Sequence, residues 1–156
     1  MNLPQSPDST VACASTVSML EDLASRAGLR RLPLAGRQLL PVVQGGMGVG
    51  VSAGRLAGTV AGLGAVGTIS SVDLRRLHPD LMARTAHLEG PQAKADIDAA
   101  NLLALEREIA RAREISGGRG LLAVNVMRAV GEYEAYVRHA LACGIDAVVV
   151  GAGLPL

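Results

Sequence analysis

Phenylalanine and tryptophan are absent from this chain, and tyrosine occurs only as Tyr133 and Tyr136. That leaves no platform on which nucleobases could stack, and any core must be assembled from Leu, Val, Ile and Ala. An excess of charge is missing too. Fifteen basic residues, of which only Lys94 is lysine, face fourteen acidic ones, for a net charge of +1. Nothing in that balance draws the chain to nucleic acid or to an anionic membrane. Cysteine is scarce: Cys13 and Cys143 lie far apart and match no metal-ligand spacing, which reads as two reduced thiols and no metal. No apolar run approaches the roughly 20 residues that span a bilayer. The opening MNLPQSPDSTVACAS lacks the basic and apolar regions of a secretory signal. A soluble, cytoplasmic protein is expected.

The 156 residues give room for one domain, and 49% hydrophobic with 19% charged residues can build a core. Met1 to Ser15, rich in Pro, Ser and Thr, reads as a loose leader. A short helix should follow, with Ser18 and Glu21 at capping-box spacing and Gly28 closing it, so that residues 1–28 stand apart from a domain over 29–156. RLPLAGRQLL suggests a hairpin turning at Ala35-Gly36.

From Pro41 the pattern becomes regular. PVVQ is a short strand, and Ser52 to Leu63 a helix with Leu56, Val60 and Leu63 on one side. AVGTIS is the second strand. Asn101 to Ile115 is an amphipathic helix with Leu102, Leu105, Ile109 and Ala112 inward and Glu106, Arg107, Arg111 and Arg113 toward water, ended by Gly117-Gly118. LLAVNVM, Gly131 to Cys143, and DAVVVGAG supply the third strand, a helix and the fourth strand. Apolar strands alternating with helices predict an α/β fold, a parallel sheet with helices on its outer face. The stretch from Asp73 to Ile97 breaks this period, as a mobile insertion or a cap over the site.

Nine glycines fall between Gly45 and Gly67 where a strand gives way to a helix, a place whose free N–H groups and positive helix end suit anions and polarised carbonyls. Gly48-Val49-Gly50-Val51-Ser52-Ala53 with Asp73 twenty residues on also fits a dinucleotide-binding unit, although Gly45, Gly46 and Met47 intervene between strand and motif. A P-loop is excluded, because no G-K-[ST] occurs. Asn125 stands as a polar residue inside LLAVNVM, where a buried amide must find partners, in a ligand or between strands. His78 and His87 fall in the insertion, and His139 in a helix that points it to surface or packing.

PVVQGGMGVGVSAGRLAG resembles the first-strand signature of the nitronate monooxygenase family, and AVGTIS, NLLALEREIARARE, AVNVM and DAVVVGAGLPL follow in barrel order. The FMN-dependent enoyl-acyl-carrier-protein reductases share the Q-G-G-M opening, while GVGVS and GAGLPL favour the monooxygenase branch. The resemblance implies the N-terminal half of a (β/α)₈ TIM barrel, since such a barrel takes about 250 residues. It implies FMN as cofactor, with Gly45, Gly46 and Met47 under the flavin and Asn125 bonded to it, and Gly151 and Gly153 lining the substrate side. The implied reaction is oxidative denitrification of an alkyl nitronate by O2. The family's catalytic histidine and phosphate-binding glycines follow later strands and match nothing in these residues, so no catalytic residue is assigned. An inactive half-barrel that associates with itself through unpaired strand edges and an apolar inner face is the reading of another class.

Overall fold

The computed structural model describes residues 9–129 and 131–153. Helix α1 (Ser9–Arg26) starts well before Ser18, which therefore lies in its interior and caps nothing. The leader expected up to Ser15 is thus helical from Ser9 onward, and its first eight residues lie outside the described ones. The helix ends as its sequence suggests. Gly28 takes φ 69°, its N–H donates to Ser25 and that of Leu29 to Ala24, the paired bonds of a glycine-terminated helix. Strands β1 (Leu32–Leu34) and β2 (Arg37–Leu39) form the expected antiparallel hairpin, with Ala35 and Gly36 both at positive φ.

The main sheet is parallel, in the order β3 (Val66–Ser70), β4 (Leu121–Met127), β5 (Ala147–Gly151). PVVQ is not a full strand. It joins the β3 edge by a bridge from Val43 to Val66, with Gln44 N–H donating to Val66 O at 2.9 Å and Val66 N–H to Val42 O at 3.0 Å. Helices α2 (Gly54–Gly62), α4 (Pro91–Ser116) and α5 (Tyr133–Ala142) contribute to the larger core cluster with Ile69, Leu122, Val124 and Val126. Alternation puts Val66, Leu121, Ala123 and Ala147 on the opposite face, where Leu32 and Leu39 of the hairpin cover them. Helices therefore cover one face, and the hairpin closes the lower part of the other.

The residues from 73 to 97 are built into the fold as helical structure. A 3₁₀ turn (Leu74–Leu77), helix α3 (Pro79–Thr85) and the start of α4 occupy them, and Leu74 and Leu81 are wholly buried in the larger core. Helix α2 packs on its smallest residues. Its buried face is Gly54, Ala57, Gly58, Ala61 and Gly62, whereas Leu56, Val60 and Leu63 are half-buried. The reason is close approach: a Cβ on Gly58 would stand 2.9 Å from the Ala112 backbone of α4. On α4, Leu105, Ile109 and Ala112 point inward as predicted, and Gly117 and Gly118, both at positive φ, end the helix.

Asp146 ties the lower end together. It accepts from Arg113 Nη1 at 3.0 Å and from Leu122 N–H at 2.9 Å, and Arg37 of the hairpin lies at 3.6 Å. Burial alone would raise its carboxyl, but Arg113, the Leu122 amide and Arg37 outweigh that and hold it below the ordinary value. A depressed folded value gives stability that is present above the unfolded carboxylate range near 3.9 and is lost as pH falls through the folded value. Asp146→Asn should therefore lower the urea midpoint at pH 7, and its deficit should shrink at pH 3. An equal deficit at both pH values would show that the carboxylate's charge is not what matters.

Candidate cofactor-binding face

The upper part of the hairpin-covered face carries the glycine loop. Ser52, fully buried, organises it: its hydroxyl donates to Gly45 O at 3.1 Å and accepts from Met47 N–H at 2.9 Å, while its own N–H donates to Met47 O at 2.9 Å. Gln44 extends the strand pairing with its side chain. Its Oε1 accepts from Thr68 N–H at 2.9 Å, and its Nε2 donates to Ser52 Oγ at 2.8 Å and Thr68 O at 3.2 Å. The amide thus does for β3 what the backbone of a longer first strand would do, and it fixes where the loop begins.

Strand register places Ser70, Asn125 and Val149 side by side near the C-terminal ends of β3, β4 and β5. Three of the residues singled out in the sequence meet here. A Cβ on Gly46 would lie 2.6 Å from Asn125 Cβ, and one on Gly151 would lie 3.4 Å from Asn125 Nδ2. Two glycines therefore make room around one amide. Asn125 is half-buried, and its Nδ2 makes a long hydrogen bond of 3.4 Å to Val149 O. Gly45 is adjacent in the loop and a side chain there would meet open space. Met47 is held by its backbone, and its side chain is exposed. Gly153, at φ 142°, stands apart against Arg128, whose guanidinium lies 5.1 Å from the Tyr133 ring. A cleft of about 540 Å³ opens beside that pair, lined also by Glu132 and Arg138.

The helix end near the loop is not free for an anion. Glu108 of α4, buried, accepts from Gly54 N–H at 2.7 Å at the start of α2. A carboxylate already occupies the position that a pyrophosphate would take in a dinucleotide unit. Asp73, the acid that unit would need, is paired with Arg75 at 3.1 Å and with Arg76. Strand β5 pairs with β4 and not with residues 42–44, as a doubly wound order would require. These three observations remove the dinucleotide reading.

The histidines divide. His87 is exposed. His78 is mostly buried, its Nε2 3.2 Å from Glu108 Oε1. His139, expected at the surface or in packing, sits between helices with its Nε2 buried and 3.7 Å from Glu106. Reasoning along the chain missed Gln44, Ser52, Ser70 and Glu108. The first two carry a local signal, polar groups bracketing a glycine run, whereas Glu108 is recognisable only once α4 lies across α2.

Chemically the face offers a side-chain amide, hydroxyls and backbone groups around glycine-made space. That suits a flat, hydrogen-bonding ring better than a phosphate. No helix among the described residues is long and apolar enough to cross a membrane. No protein-family model matches the chain, and no curated protein matches it significantly. What the structure itself establishes is an α/β fold with a three-stranded parallel sheet, helices on one face and a glycine-flanked asparagine near the strand ends on the other.

Proposed function

We propose that this face holds the ring of FMN and that the protein is a flavin oxidoreductase of the nitronate monooxygenase type, its strands being consecutive members of a (β/α)₈ barrel. The observation that carries the reading is Asn125 with Gly46 and Gly151 closed around it, since a side chain at Gly46 would overlap the amide's own carbon atoms. Strands in sequence order and helices on one face support a barrel wall, in which sites lie at the C-terminal strand ends. In that reading Asn125 bonds the ring edge, backbone groups of Gly45, Gly46 and Met47 pass beneath it, and Gly151 and Gly153 border the substrate. Bound FMN would supply the electron acceptor for an alkyl nitronate, with O2 as co-substrate. Glu108 at the α2 N-terminus argues that the phosphate is held elsewhere. Exposed Val42, Val43 and Val149 on the first-strand edge and the inner face favour further burial, by barrel closure or self-association.

The test is flavin content and nitronate-dependent oxygen uptake of the full-length gene product, without NAD(P)H. Asn125→Leu should weaken FMN binding about tenfold, the loss of one to two hydrogen bonds, while leaving the circular dichroism unchanged. FMN held as tightly by the variant as by the parent would remove Asn125 from the site. NADH-dependent reduction of an enoyl thioester without nitronate-dependent oxygen uptake would instead assign the enoyl reductase activity.

A further inference from the structure

Away from the strand ends, α4 and α5 bring together three side chains of a different chemistry. His139 and Cys143 are one turn apart, and the Cys143 N–H donates to His139 O at 3.0 Å, so both project from one side of α5. Glu106 of α4 faces them. Its Oε2 is 3.7 Å from His139 Nε2, and the ligand atoms of Glu106, His139 and Cys143 all lie within 4.8 Å of one another. His139 Nε2 is buried and makes no hydrogen bond among the described residues. An imidazole nitrogen left in that state is costly, and the nearby carboxylate is too far away to satisfy it. A thiol, an imidazole and a carboxylate around a common point would each be satisfied by one cation.

We propose that Glu106, His139 and Cys143 bind a divalent cation of the zinc class, with water as a fourth ligand and the thiol proton released to solvent. The donor set excludes magnesium and calcium, which take oxygen ligands, whereas sulfur and imidazole nitrogen suit zinc. The geometry is close to closed. Tetrahedral zinc with these donors spaces its ligand atoms about 3.3–3.7 Å apart, and the carboxylate–imidazole pair about 3.3–3.5 Å, so the 3.7 Å separation of Glu106 from His139 must shorten by a few tenths of an ångström, which the exposed Glu106 supplies by turning inward. Cys143 follows α5 and precedes β5, at the opposite end of the sheet from the Asn125 face. The cation would therefore clasp α4 to α5 and is separate from the flavin reading.

Cobalt(II) serves as the probe, because a cobalt–thiolate bond gives near-ultraviolet charge-transfer absorption. The reduced protein should show this band, saturating at about one Co²⁺ per chain and abolished by competing Zn²⁺. Cys143→Ser should abolish the band and Cys13→Ser should leave it. Glu106→Gln, an exposed and nearly isosteric change that leaves the fold intact, should weaken Co²⁺ binding at least about tenfold. Zn²⁺ should raise the Tm of the parent and not that of Cys143→Ser. A parent that shows no saturable band, or a band that survives in Cys143→Ser, would overturn the proposal. So would Co²⁺ affinity unchanged in Glu106→Gln.

Discussion

Replacing Gly67 by alanine should lower stability by at least about 3 kcal/mol, a large share of what a domain of this size possesses. Gly67 lies in β3 directly beneath α2, and a Cβ there would overlap the Ala57 carbonyl, with the Ala57 Cα only 2.9 Å away. The obstructing atoms are backbone within a helix, so no rotamer change relieves the overlap, and α2 must lift from the sheet. Because α2 also packs through Gly58 against α4, lifting it loosens a second contact. Gly45→Ala is the control, since a side chain there meets nothing within 4 Å and its φ is not in the positive range. Urea unfolding followed by far-ultraviolet circular dichroism measures both, as the chain has no tryptophan to report. A Gly67→Ala midpoint within experimental error of Gly45→Ala would show that α2 does not seat as closely as described.

Glu108→Ala should cost roughly 3 kcal/mol. The carboxylate is buried, accepts from the Gly54 N–H at 2.7 Å and faces His78 at 3.2 Å. Its removal leaves a helix N-terminus without its acceptor and takes away the carboxylate that lies beside the buried His78 Nε2. Ala53, the residue before α2, has no side chain that could take over the cap. Glu108→Gln keeps an acceptor for Gly54 and should lose clearly less. The comparison separates the hydrogen bond from the charge: equal losses in the two variants would mean that the charge dominates and that the cap is secondary.

The strands were legible because their signal is local. VGTIS, LLAVNVM and AVVVG are short, mostly apolar runs, LLAVNVM set between Gly120 and Arg128 and AVVVG preceded by Asp146, and parallel strands packed between layers demand such runs. The hairpin was legible at Ala35-Gly36 and the helix stops at Gly28 and Gly117 for the same reason. The buried face of α2 was not. A hydrophobicity pattern selects leucine and valine, but here the packing distance is set by glycine, so the smallest residues lie inside. The first strand was over-read because PVVQ has strand composition, whereas beyond the Val43–Val66 bridge the contact with Thr68 is made by the Gln44 side chain. On the candidate face, Gly46, Asn125 and Gly151 were named from the sequence and do converge, while Gly153 does not join them. Glu108 acts through a partner on another element, and residue type alone does not announce a partner. The proximity of Cys143 to His139 and Glu106 was not legible for a related reason: the interval between the two cysteines does not reveal it, and the carboxylate sits on another helix.

The three strands are unevenly separated along the chain, and this sets an order of assembly. Between β4 and β5 lies one helix, α5, so their ends close a short loop. Between β3 and β4 lie the 3₁₀ turn, α3 and the whole of α4, so that seam closes against a larger entropy and waits for α4 to form. The β4–β5 pair is accordingly expected to form first, and β3 to join later with α2 and the glycine loop attached to it. A seam closed against the larger loop entropy is expected to be among the first to open in the native protein. Amide hydrogen exchange is therefore expected to run faster at Met47 and Ser52 than at Val124 and Asn125 on the central strand, and equal protection in the two places would overturn this order.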